Sequence, residues 1–110
     1  MKIDFNAMEA KRIPNFKGGE KDLIAKIFAD ESGKVIYGQL EPGATIGLHT
    51  HDTSSEVIYM LDGIGTVVTD GVEETLEPGT ATYCKKGHTH TLQNRSDSII
   101  TFLGVVPELG

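Results

Sequence analysis

Short runs rich in Val, Ile, Thr, Tyr and Phe fill most of the chain, and clusters of turn-forming residues separate them every roughly 8 to 12 positions. The runs DLIAKIFA and KVIYGQL flank the turn sequence DESG, and GTVVT and VEETL flank Asp70-Gly71. A two-residue Asp-Gly link predicts a hairpin, because Gly accepts the positive φ that a type I′ turn requires. No segment after residue 20 has a helical period. The pattern predicts an all-β protein, either a sandwich or a barrel.

The first 20 residues follow a different pattern. Asn6 is a candidate helix N-cap with Glu9 three residues later, which resembles a capping box, and Pro14 limits any helix here to one or two turns. We therefore expect residues 1–20 to form an N-terminal arm and residues 21–110 to form one barrel domain. The arm would either cover a sheet edge or reach across a dimer.

The composition of the chain argues against several classes of partner. The chain has 110 residues, which suits one domain, and its 16 acidic and 10 basic residues give a net charge of −6. This balance argues against nucleic acid or an anionic membrane surface as partner, since both favour dense Lys and Arg patches. The longest mostly apolar run, Ile99–Val106, is far shorter than the roughly 18 residues of a membrane span. With no secretory signal pattern and only one cysteine, Cys84, the chain is expected to be cytoplasmic.

Three potential metal ligands lie close together in the sequence. His49 and His51 are two residues apart, so in a strand both side chains point to the same side. The loop sequence DTSS follows, and Glu56 begins the next run. If the two strands pair around that loop, Glu56 can face the same side as the histidines. His90 lies in a later run and can complete the cluster if that run lies beside the hairpin.

The same register predicts which other side chains face inward. Ile58 and Met60 follow Glu56 inward, whereas Val57, Tyr59 and Leu61 face the other way. Tyr59 is therefore expected to pack in a core rather than to donate to a ligand. The expected cavity walls are mainly apolar, which predicts a small, partly apolar ligand with a metal-chelating oxygen; they comprise Thr45, Gly47, Ile58, Met60, Leu92 and Phe102.

Two segments resemble the paired motifs of the cupin superfamily. In Gly43–Gly63, the spacing of His49, His51 and Glu56 between the two glycines is similar to the first cupin motif. Gly79–Asn94, with Gly87 and His90, is similar to the second. Lys85 departs from the pattern because it stands where proline is common, so the turn before His88 and His90 is expected to be less rigid. The spacing from Gly87 to Asn94 favours His90 as the ligand.

The resemblance implies a double-stranded β-helix, also called a jelly-roll β-barrel, with one divalent transition metal bound to His49, His51, Glu56 and His90. Three imidazoles and a carboxylate suit Fe, Mn, Ni, Cu, Co or Zn. The implied function is a metalloenzyme, dioxygenase-like or isomerase/lyase-like, that acts on a small organic substrate. A non-catalytic module that binds or senses a small ligand or metal is the alternative, and a third reading makes the barrel a dimerisation unit. Small cupins resemble one another in forming homodimers, so a homodimer is expected.

Three other reactive residues lie within the segment that resembles the second motif, namely Tyr83, Cys84 and His88. His88 is expected to line the mouth of the site or to support a ligand rather than to bind the metal. Cys84 is not expected to be a nucleophile, because no orienting partner or basic, helix-capped setting accompanies it. Tyr83 lies near the turn of the second motif, and its role stays open.

Overall fold

Ten antiparallel strands make up most of the computed structural model, which describes every residue from Met1 to Gly110. Two short 3-10 helices, Phe5–Ala7 and Phe16–Gly18, flank the first strand. The strands are β1 Lys11–Pro14, β2 Asp22–Asp30, β3 Gly33–Leu40, β4 Thr45–Thr50, β5 Glu56–Asp62, β6 Gly65–Thr69, β7 Val72–Leu76, β8 Ala81–Cys84, β9 Thr89–Gln93 and β10 Ile100–Pro107. The prediction of an all-β fold is confirmed.

The strands form two sheets. One has the order β1-β2-β3-β10-β5-β8, and the other has the order β4-β9-β6-β7. Strands that are neighbours in a sheet are often distant in the chain, and connections cross from one sheet to the other, as in a jelly roll. Both predicted hairpins are present, with Asp30 paired to Gly33 and Thr69 paired to Val72. Asp70 and Gly71 both have positive φ, as a type I′ turn requires.

One predicted pairing is wrong. β4 and β5 do not form a hairpin, because β4 pairs with β9 whereas β5 pairs with β10 and β8. The segment between them therefore crosses from the four-stranded sheet to the six-stranded sheet. Alternation along a strand predicts which side chains share a face, but it does not predict which sheet the strand joins.

The core lies between the two sheets. It combines Leu23, Ile36, Ile58, Met60 and Phe102 from the six-stranded sheet with Ile46, Val67 and Leu92 from the four-stranded sheet. The inward positions of Ile58 and Met60 are confirmed by exposures of 1% and 0%. The outward prediction for Val57, Tyr59 and Leu61 is also confirmed, but Tyr59 is exposed and does not pack in a core. Gly38 leaves room for the Phe102 ring, since a Cβ there would lie 2.4 Å from that ring.

The N-terminal segment lies along its own sheet. β1 pairs with β2, with Arg12 opposite Ile24, and so covers one edge of the six-stranded sheet. The first 3-10 helix is capped by Asp4, whose carboxylate accepts a hydrogen bond from the Asn6 backbone N–H at 3.0 Å. The expectation that Asn6 is the N-cap is therefore wrong. No helix of the fold has the length and apolarity needed to cross a bilayer.

Candidate metal centre

The two sheets bring the four predicted ligands together at one end of the barrel. His49 on β4 and His90 on β9 are register partners in the four-stranded sheet. His51 follows the last residue of β4, and Glu56 is the first residue of β5 in the opposite sheet. The crossing between sheets thus places the carboxylate opposite the imidazoles, which a flat hairpin would not do.

The ligating atoms of these four residues converge. The Glu56 Oε1 atom lies 3.1 Å from His51 Nε2 and 2.9 Å from His90 Nε2, and the two Nε2 atoms are 2.9 Å apart. With His49 included, the four potential ligand atoms lie within 4.8 Å of one another. His51, Glu56 and His90 are buried, and His49 is half-buried. The cluster is compact enough to hold a metal ion.

The hydrogen bonds on the outer side of the rings fix their orientation. His49 Nδ1 donates to the carbonyl oxygen of Gly47 at 2.7 Å, so its Nε2 carries the free lone pair. His51 Nδ1 lies 2.8 Å from Ser54 Oγ, which likewise leaves Nε2 facing the cluster. His90 Nδ1 is buried without a hydrogen-bond partner. Three imidazole Nε2 atoms and one carboxylate therefore fit a divalent transition metal.

The charge states of the cluster also fit metal binding. Burial alone would raise the pKa of Glu56, but hydrogen bonds from His51 and His90 outweigh it and lower this pKa to about 2. The carboxylate is therefore ionised near neutral pH. Burial lowers the pKa of His49, which favours the neutral imidazole. An ionised carboxylate and a neutral imidazole are the forms that bind metals.

A cavity of about 300 Å³ opens onto His49, His51 and Glu56. Its apolar walls are Phe16, Ile36, Ile46 and Val106, and its charged walls include Lys17, Lys34, Asp30, Asp52 and Glu108.

The cavity differs from the sequence prediction. None of the six expected wall residues lines it: Thr45, Gly47, Ile58, Met60, Leu92 and Phe102. Four of them fill the core between the sheets, whereas strand ends and loops surround the cavity at the end of the barrel. The expectation of mainly apolar walls is also wrong, because charged side chains are prominent among them.

The other singled-out residues lie outside the cluster. His88 is partly exposed, and its Nδ1 contacts the Asp70 carboxylate. Cys84 is buried, and burial together with the charge of Glu56 raises the pKa of its thiol to about 11, so the thiol stays protonated and unreactive. Tyr83 is exposed on the outer sheet face, away from the cavity. The sequence-based predictions did not include Ser54 as a partner of a metal ligand, although its position in the loop between His51 and Glu56 placed it near two predicted ligands.

Comparisons with known proteins agree with this architecture. The family model described as "Cupin domain" matches residues 36–106. An oxalate-binding protein of Thermotoga maritima is 25% identical over an alignment of 112 positions, which covers 96% of this chain and 93% of that protein. A crystal structure from Thermotoga maritima, of a protein described as a predicted oxalate decarboxylase, has a TM-score of 0.91 at 23% identity and covers 99% of this chain and all of the other. A sugar phosphate isomerase of the cupin superfamily from Silicibacter pomeroyi has a TM-score of 0.80 at 24% identity, with 98% and 76% coverage. The two structural matches show a shared jelly-roll fold.

Proposed function

The chain belongs to the family of cupin domains, and from this premise we propose that it binds one divalent transition metal through His49, His51, Glu56 and His90 and holds a small chelating carboxylate on that metal. The observation that carries this proposal is the convergence of four ligand atoms within 4.8 Å beside a cavity of about 300 Å³. A six-coordinate metal with four protein ligands has two positions for ligand oxygens. A cavity of this volume suits a ligand of few atoms.

The relative from Thermotoga maritima supports a carboxylate as the ligand. That protein is an oxalate-binding protein, and it aligns with nearly the whole of this chain. Oxalate offers two adjacent carboxylates, which form a chelate with a single metal ion. We therefore take oxalate as the first ligand to test and the dicarboxylates of similar size as the next.

The test is calorimetric titration of oxalate into protein that has been stripped of metal and then loaded with Mn²⁺ or Co²⁺. We expect stoichiometric binding to the loaded protein and none to the stripped protein. Oxalate that binds equally well without metal would contradict the proposal, and so would a protein that takes up no metal. Metal content, measured on the same samples, separates these two failures.

A second candidate is turnover of the bound molecule, because the cavity gives solvent and substrate access to three of the four ligand residues. A bound metal supplies a Lewis acid or a redox centre. Gly47 and Ser54 fix the orientation of the His49 and His51 rings, and hydrogen bonds from two histidines keep the Glu56 carboxylate ionised. Dioxygenase-like chemistry would consume O₂, whereas isomerase or lyase chemistry would not. O₂ uptake and product analysis of the loaded protein separate both from binding alone.

A further inference from the structure

Two lysines line the same cavity as the candidate metal ligands. Lys34 is the second residue of β3 and alternates with the buried residues Ile36 and Leu40, so it lies on the same side of the strand as they do, but it is exposed at the open end of the barrel. Lys17 belongs to the segment between β1 and β2 and lines the cavity together with Phe16. Both lysines are exposed, as charged residues normally are, and their side chains line the cavity at the open end of the barrel.

Neither ammonium group is neutralised by the protein. The six ion pairs of the fold involve Arg12, Arg95 and three histidines, but neither of the two cavity lysines. The Lys17 Nζ atom lies 5.6 Å from the centroid of the Phe16 ring, which holds it beside the cavity without satisfying its hydrogen bonds. Both lysines therefore have three donors each available to a ligand.

The backbone places Lys17 at some cost. Lys17 has a φ of 56° and a ψ of 30°, a left-handed conformation that glycine and asparagine adopt far more readily than lysine. The segment is held there by close packing, since a Cβ on Gly47 would lie 2.1 Å from the Lys17 carbonyl oxygen. Strained residues of this kind cluster at ligand sites. Asn15 and Lys21 share this left-handed conformation, so the whole segment between β1 and β2 turns tightly beside the cavity.

Three carboxylates beside the cavity oppose an anionic ligand, but two of them are engaged by the chain. Asp30 accepts a hydrogen bond from the Ser32 backbone N–H at 2.9 Å. Glu108 accepts one from the Gly110 backbone N–H at 3.3 Å. Asp52 is exposed and makes no such bond. All three carboxylates keep their negative charge, and Lys17 and Lys34 are the only lysines or arginines among the cavity walls, so an anionic ligand can gain charge-assisted hydrogen bonds from ammonium groups only there.

We propose that Lys17 and Lys34 are the specificity-determining residues of this cavity and select a small dianion. One oxygen from each end of that ligand would bind at the His49, His51, Glu56 and His90 cluster, and its remaining charged oxygens would face the two ammonium groups. This inference rests on the proposed function, because it places the ligand in the same site. Charge-assisted hydrogen bonds from lysine are about twice as strong as neutral ones, so they can decide between ligands of equal shape.

The test compares oxalate with oxamate, which has the same skeleton but replaces one carboxylate by a neutral amide. Both are titrated calorimetrically into Co²⁺-loaded wild type, Lys17→Asn and Lys34→Gln. Lys26→Gln is the matched control. Lys26 lies on the outer face beside Tyr37, away from the cavity, and its substitution removes the same charge. We expect each cavity variant to lose roughly tenfold or more in oxalate affinity. Oxamate affinity should fall much less, and Lys26→Gln should match wild type.

The outcomes separate the two proposals. If loaded wild type binds neither probe, the proposed function fails together with this inference. If wild type binds oxalate and the two cavity variants keep its affinity and its preference over oxamate, only this inference is overturned. Metal content must stay at the wild-type value in all variants for the comparison to count as a ligand effect. Lys17→Asn should also unfold at the same or a higher temperature, since asparagine suits the left-handed backbone, and a lower value would contradict the strain argument.

Discussion

Glu56 and His90 come from opposite sheets, and their Oε1 and Nε2 atoms lie 2.9 Å apart in the buried cluster at the open end of the barrel. No element of local structure brings them together, because Glu56 begins β5 and His90 lies in β9. The cluster therefore exists only when the two sheets are packed. Metal binding should in turn link the sheets and stabilise the folded chain.

The first prediction concerns metal content. His90→Ala removes a buried ligand, so we expect about one metal ion per wild-type chain after reconstitution and a near-complete loss in the variant. His88→Ala is the control, because His88 lies two residues away but contacts Asp70 instead of the cluster. Elemental analysis of both variants beside wild type provides the measurement. Equal metal content in His90→Ala and His88→Ala would rule out the proposed ligand set.

The second prediction concerns acid stability of the metal-stripped protein. The pKa of Glu56 is lowered from an ordinary value of 4.5 to about 2 in the fold. A depressed pKa means that the ionised carboxylate contributes stability above the unfolded pKa, and that this contribution is lost as the pH falls toward the folded pKa. The contribution is at most about 3 kcal/mol, since each pKa unit corresponds to about 1.4 kcal/mol.

Urea unfolding between pH 6 and pH 2 tests this dependence. We expect the free energy of unfolding of wild type to decrease most steeply below pH 4.5, whereas Glu56→Gln should show a smaller decrease because its side chain cannot titrate. The difference between the two proteins should therefore shrink as the pH falls. Parallel pH profiles would mean that the carboxylate gains nothing from His51 and His90.

The third prediction concerns the partner of His51. Ser54 Oγ lies 2.8 Å from His51 Nδ1 and helps to orient the ring, so Ser54→Ala should weaken metal affinity by roughly 10- to 100-fold. Ser32→Ala is the control, because Ser32 lies in the β2–β3 turn and its hydroxyl does not contact the cluster. Competition against a fluorescent chelator measures both affinities. An unchanged affinity in Ser54→Ala would show that packing alone positions the ring.

The sequence contained enough information to predict the ligand cluster but not its surroundings. The spacing of His49, His51 and Glu56 is a local signal, as is the Asp70-Gly71 turn of the β6–β7 hairpin, whereas His90 was assigned through the resemblance to the second cupin motif. The pairing of β4 with β9 instead of β5 depends on how two sheets pack, and alternation is the same in either case. The cavity walls were mispredicted for a related reason. Side chains that alternate inward in mid-strand fill the core, and only the barrel end stays open.

Lys17 illustrates a further limit of the sequence. Its left-handed backbone results from the close approach of its segment to Gly47, a contact between residues that are distant in the chain. Lysine carries no propensity for that conformation, so no local signal marks the position. Alternation with Ile36 and Leu40 predicts that Lys34 lies on the inward side of β3. It does not predict that the side chain lines a cavity, because a residue at a strand end can equally face solvent.

The last prediction concerns association. Val105, Val57 and Tyr83 are adjacent across β10, β5 and β8, and Tyr59 lies next to this row, so the outer face of the six-stranded sheet presents exposed apolar side chains. Such a face is typical of an interface, and we expect a second copy of the chain to cover it.

Light scattering at micromolar concentration should therefore give the mass of a dimer for wild type. Tyr59→Lys places a charge beside the apolar row, and burying an unpaired charge in an interface is costly, so this variant should be monomeric. Val72→Lys is the control, because Val72 is more accessible to solvent than Tyr59 but lies in the other sheet, and it should remain dimeric. Both variants should keep the metal content of wild type, since neither residue touches the cluster. A monomeric wild type would refute the dimer, and a monomeric Val72→Lys beside a dimeric Tyr59→Lys would move the interface to the four-stranded sheet.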